Sequence, residues 1–92
     1  METINRAIAN PSVVLREEFD DWALLFDPDT GEVYGLNPIG VFIWKRLDGR
    51  HTVEDIYNEL ISQFDRVPEK SIDHINNFVS DLTKRGLAGQ EV

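Results

Sequence analysis

No cysteine occurs in the 92 residues. That absence removes disulfides, thiolate nucleophiles, iron–sulfur ligation and cysteine-type zinc sites together. It suits a reducing cytosol, and a soluble cytoplasmic protein is the expectation. Long apolar runs are also missing: none approaches the ~20 residues a membrane span needs, so no membrane partner is expected. The opening Met1-Glu2-Thr3-Ile4-Asn5-Arg6 has neither the basic region nor the apolar stretch of a signal peptide. Positive charge is scarce, with 9 Lys and Arg against 17 Asp and Glu and a net charge of −8. Such a field repels phosphate backbones, and no nucleic acid partner is expected. The 2 histidines, His51 and His74, lack a second histidine at ligand spacing, so both read as solvated and no metal is assigned. No serine–histidine–acid order, phosphate-binding glycine loop or dinucleotide fingerprint occurs, so neither catalysis nor a cofactor is expected.

What is present is an ordinary globular composition, 41% hydrophobic and 28% charged. The length suits a single domain over 1–92, with 1–10 and 89–92 frayed. A domain of this size buries only roughly 60–65% of the surface its unfolded chain exposes. It folds alone or as a small oligomer, which leaves a homodimer open. No internal repeat or long linker appears.

The first third is strand-rich. Val13 to Glu17 and Trp22 to Phe26 are short β-branched, aromatic and apolar runs on either side of an acidic turn at Asp20-Asp21. Asp27-Pro28-Asp29-Thr30-Gly31 then carries the residues of a tight turn, leading into a third strand from Glu32 to Leu36. Asn37 before Pro38 is an N-cap with proline at the first helical position. The helix it opens runs through Ile39, Phe42, Ile43, Trp44 and Leu47 until Asp48-Gly49. Gly40 in its first turn suggests a close backbone contact.

Thr52 with Asp55 forms a capping box for a second helix, whose Val53, Ile56, Tyr57, Leu60, Ile61 and Phe64 repeat with helical period. Pro68 or Ser71 opens a third, with Ile72, Ile75, Phe78, Val79 and Leu82 apolar. Lys84 and Arg85 suit its negative end, Gly86 the left-handed cap, and Leu87 can pack back, with a short extended tail to Val92. The fold class is α+β, winged-helix-like: a three-stranded antiparallel N-terminal sheet followed by three helices.

Candidate chemistry is thin. The carboxylate pairs Glu17-Glu18 and Asp20-Asp21 lie beside a turn and read as a solvated acidic rim. Trp22 and Trp44 sit in apolar runs and read as core. A winged helix can read DNA with its third helix, but that helix presents Asp73, Asn76, Asn77, Ser80 and Asp81 outward, the wrong chemistry for phosphates.

From Leu36 to Ile56 the chain combines a Leu-Asn entry, a buried helix, an Asp48-Gly49 turn and a Thr52-capped helix. Phe78-Val79, Leu82 and Gly86-Leu87 follow in order. This ordered set, spanning Val13 to Ala88, resembles the PqqD-like proteins. Within them the Arg16 to Trp22 segment and Asn37 to Gly40 look most like a branch from peptide-modification gene cassettes. His74 stands where many relatives carry an acid.

The resemblance implies a RiPP recognition element, a non-catalytic chaperone. Such a domain grips the leader of a ribosomally made precursor peptide and presents it to a modifying enzyme, often a radical SAM protein. In that family the leader adds as a strand beside the third strand and lies against the third helix. Mapped here, the binding residues are Glu32, Val33, Tyr34, Gly35 and Leu36 with Ile72, Ile75, Asn76 and Val79. A free strand edge can accept an extended peptide. The apolar members of that set either form pockets or face the core. A DNA-binding regulator and a structural dimerisation module stand as the alternatives. The acids of the first third either steer a basic partner or keep the edge soluble.

Overall fold

A computed structural model of the chain describes residues 7–64 and 71–90. Its elements in order are β1 (Ala7–Ala9), β2 (Val14–Glu17), β3 (Ala23–Phe26), β4 (Val33–Leu36), α1 (Pro38–Trp44), α2 (Val53–Gln63), α3 (Ser71–Lys84) and β5 (Ala88–Gln90). The three-stranded antiparallel sheet has the order β2-β3-β4. With three helices after it, the α+β class expected from the pattern is the one observed. Pro68, one candidate for opening the third helix, lies outside the described residues.

The strands form where alternation lets one face be buried. In β3, Ala23 and Leu25 are buried and Leu24 and Phe26 exposed; in β4, Leu36 is buried while Val33 and Gly35 are exposed. The buried face joins Val41, Ile43, Trp44 and Leu47, then Val53, Ile56 and Leu60, then Ile75, Val79 and Leu82, in one core.

Local chemistry sets the helix limits. The Asn37 side chain accepts a hydrogen bond from the Gly40 N–H at 2.7 Å. Gly40 packs closely there: a Cβ would lie 3.2 Å from Leu36 Cδ2, so the leucine would have to give by a few tenths of an ångström. Thr52 and Asp55 form the reciprocal capping box. Beyond α3, Gly86 takes φ +78°. The Leu87 N–H then donates back to Leu82 O at 2.9 Å, and Leu87 is fully buried.

Five expectations are corrected, the last of them at His51. Residues 7–9 are not frayed: β1 pairs antiparallel with β5, which uses 89–90 as well. On its other side the Ala9 N–H donates to Leu47 O at 2.8 Å and the Gly49 N–H to Ala7 O at 3.1 Å. Short-range pattern held no sign of this pairing, because its partners are far apart in sequence. The first helix stops at Trp44, as the Arg46 and Leu47 N–H groups reach only three residues back, to Ile43 and Trp44. Trp22 is 54% exposed, because the phase of β3 turns it to the outer face with Leu24. Ile61 is exposed as well, at the margin of a stripe wider than the surface α2 packs against.

His51 is not a solvated bystander. Its Nδ1 lies 2.9 Å from Asp48 Oδ1 and its Nε2 3.0 Å from Glu59 Oε2. Arg46 donates to the other Glu59 oxygen at 2.7 Å and lies 3.6 Å over the Phe42 ring. The cluster ties the α1–α2 turn to α2.

Two predictions follow from these contacts. No atom would meet a Cβ on Gly86, so Gly86→Ala costs only its left-handed backbone, about 1 kcal/mol by urea denaturation. The hydrogen bond to Asp48 raises the His51 pKa, with Glu59 adding to it. Stability from the imidazolium is present below the ordinary imidazole range and lost as pH rises through the raised value. Asp48, held down first by His51, and Glu59, held down first by Arg46, contribute stability that is lost as pH falls through the carboxylate range. In denaturation midpoints His51→Gln flattens the decline above about pH 6.5 and weakens the Asp48 part of the acid limb, while the Glu59 part held by Arg46 is kept.

Candidate peptide-binding groove

Two bonds set the phase of the sheet. Glu18 N–H donates to Trp22 O at 2.7 Å and Asp27 N–H to Glu32 O at 3.0 Å. In an antiparallel ladder, hydrogen-bonded and non-hydrogen-bonded pairs alternate. With Phe26 opposite Val33 and Leu25 opposite Tyr34, Tyr34 and Leu36 direct their N–H and C=O groups to β3. Val33 and Gly35 direct theirs outward. Among the described residues no strand pairs with that edge, because β1 and β5 form a separate two-stranded sheet.

Alongside the edge lies a groove of about 570 Å³. Tyr34, Gly35 and Leu36 line one side, and Ser71, His74, Ile75 and Phe78 of α3 the other. Ile39 and Ile43 of α1, with Leu60 and Phe64 near the end of α2, complete its apolar lining. The α3 contribution follows from helical spacing, since residues 71, 75 and 78 fall on one face. His74 and Ser71 bring the polar side chains to that wall.

A latch closes one end. Tyr34 donates its hydroxyl to Asp81 Oδ2 at 3.0 Å. Arg85 donates to Glu32 Oε2 at 2.8 Å and to Asp81 Oδ2 at 3.2 Å, and its guanidinium stands 5.1 Å from the Tyr34 ring centroid. The Tyr34 and Phe78 rings meet edge to face at 6.3 Å. Because Glu32 meets Arg85 and Tyr34 meets Asp81, β4 and α3 run antiparallel side by side. Burial raises the Tyr34 phenol pKa and the Asp81 hydrogen bond adds to it, while that same bond, ahead of Arg85, lowers the Asp81 carboxyl.

Of the nine residues expected to bind, Tyr34 and Gly35 line the groove wall, and Leu36 and Ile75, core residues only 1% and 2% exposed, form its floor. Val33 offers its backbone to the edge, its side chain being on the outer face. Glu32 is engaged by Arg85 at the latch. Val79 is 1% exposed and belongs to the core. Ile72 is half-buried against that core, and Asn76 is half-buried outside the groove lining. Sequence reasoning missed Phe78 and His74, one position from the expected Val79 and Ile75, since only the helix rotation separates groove from core. It missed Ile39, Ile43, Leu60 and Phe64 because their apolar character signals burial without saying whether protein or ligand covers them.

An open strand edge over an apolar trough defines a small α+β domain of the winged-helix-like kind. The chain belongs to the family described as coenzyme PQQ synthesis protein D (PqqD), whose model matches residues 23–88. Among curated proteins none matches. A solved structure, TbiB1 in complex with the TbiA(beta) leader peptide, superposes with a TM-score of 0.76 at 21% identity. The match covers 92% of this chain and 98% of that one.

The latch is testable by absorbance titration. Tyr34 ionises above the ordinary phenol range, and Asp81→Asn brings its midpoint down only part of the way, because burial is the larger cause.

Proposed function

We propose that this chain is a non-catalytic leader-binding domain, a RiPP recognition element. It holds a precursor peptide and presents it to a modifying enzyme, with a radical SAM protein the favoured kind. The carrying observation is the outward pair of backbone groups on Val33 and Gly35 beside the apolar groove. An extended leader satisfies those N–H and C=O groups by strand addition, while its alternate side chains enter the groove. Backbone pairing supplies affinity with little regard to sequence, and the trough selects.

Membership of the PqqD family and the fold shared with a leader-bound protein support this reading. The site is Tyr34, Gly35, Leu36 and Ile75 with Phe78, His74 and the α1 and α2 residues of the trough, and Val33 acts through its backbone. The domain spans the chain and works in the cytoplasm; among the described residues no helix is long and apolar enough to cross a membrane. DNA is a poor fit to α3, where Asp73 and Asn77 are exposed and Arg85 is engaged by Glu32 and Asp81.

Val33→Pro is the direct test. The Val33 N–H points away from β3, so proline removes an outward donor and leaves the ladder with β3 intact. Leader affinity falls about tenfold, the worth of one backbone hydrogen bond, with circular dichroism unchanged. Wild-type affinity in the folded variant would exclude strand addition at this edge. Isothermal titration with the synthetic leader reads it.

A further inference from the structure

The sheet has a second face, opposite the groove, and no element covers it among the described residues. Cross-strand register places Val14, Phe26 and Val33 in one row and Arg16, Leu24 and Gly35 in the next. Trp22, opposite Glu18 in the same ladder, extends the face beyond Leu24. Val14 is 53% exposed, Trp22 54%, Leu24 37%, Phe26 42% and Val33 57%. Phe19, on the adjoining turn, is 78% exposed. Scattered apolar residues are ordinary on a surface, but a contiguous patch on three adjacent strands marks an interaction site.

The turn beside the patch is built at a cost. Asp20 and Asp21 both take positive φ, 60° and 64°, where glycine or asparagine is the usual choice. Held in that conformation, the turn places two exposed carboxylates between two exposed aromatic residues. Glu18, Asp20 and Asp21 rim one end of the face, and Asp29 stands exposed at the other. Arg16 is the cation on the face, and it pairs with Glu18 at 3.2 Å.

We propose that this outer face is a second docking surface, for an apolar patch ringed by lysine and arginine on the modifying enzyme. Charge complementarity chooses that occupant over a second copy of the chain. Two copies would oppose carboxylate to carboxylate, each from a protein of net charge −8. Apolar contact in the centre supplies affinity, and the acidic ends steer the approach. Groove and outer face lie on opposite sides of one sheet, so leader and enzyme bind together. The inference rests on the leader-binding reading.

Two titrations separate the two ideas, one with the synthetic leader and one with the purified modifying enzyme of the same gene cluster. The paired variant Trp22→Ser with Leu24→Lys changes exposed side chains only. It keeps leader affinity and lowers enzyme affinity about tenfold or more. Asp20→Asn with Asp21→Asn keeps residues that tolerate positive φ and slows enzyme association severalfold, a difference lost at about 0.5 M salt. Unchanged enzyme affinity in the folded Trp22/Leu24 variant overturns the proposal. So does a wild-type dimer in sedimentation equilibrium that this variant dissociates, which would give the face to a second copy. Enzyme binding through the face with no leader binding would instead overturn the functional reading alone.

Discussion

The pairing of β1 with β5 is the constraint on which the rest depends. β1 lies between β5 and the segment around Leu47 to Gly49, so β1 and β5 pair away from the larger sheet. Ala7, Leu87 and Ala88 are buried by it. Had either end paired with β4, the outward groups of Val33 and Gly35 would be spent. Because β1 and β5 pair with one another, the β4 edge beside the trough has no strand partner among the described residues.

The trough keeps its shape because its walls are tied. Leu36 packs closely on Gly40, where a Cβ would come within 3.2 Å of its Cδ2, and this holds the start of α1 against the end of β4. Tyr34, Asp81, Arg85 and Glu32 hold the last turns of α3 against the start of β4. The edge-to-face contact of Phe42 and Phe64 at 5.4 Å joins α1 to the end of α2. Walls held in place before binding lower the ordering cost of capture. The exposed ion pairs of the latch add geometry more than stability, since solvent screens them.

One sheet therefore does two things with its two faces. Its inner residues, Ala23, Leu25 and Leu36, close the core, while Tyr34 reaches the groove. Its outer residues, Leu24, Phe26, Val33 and Trp22, remain in solvent. A strand of four residues can serve both because successive side chains alternate. Val33 shows the economy most clearly, with its side chain on the outer face and its N–H in the plane of the edge.

Legibility in the sequence followed the range of the forces involved. Asn37, Thr52 with Asp55, and Gly86 with Leu87 were readable as caps, since each acts on backbone within a few residues. The strands of the hairpins and the three helices came from periodicity and turn chemistry in the same way, and with them the α+β class. The candidate site was half legible: β4 and Ile75 were placed, while Val79 went to the core and Phe78 to the groove. Trp22 and Ile61 carry the same apolar signature whether covered or not, and His51 gained its partners only when the chain turned. By itself the sequence determined β2 to β4, the three helices and the caps at Asn37, Thr52 and Gly86, because propensity, capping and alternation are local. β1 and the stop of α1 at Trp44 came from the fold. The tertiary structure alone decided which edge stays open, which apolar face stays uncovered and which charges meet. Those outcomes depend on contacts between residues distant in the chain, such as Ala7 with Gln90 and Glu32 with Arg85.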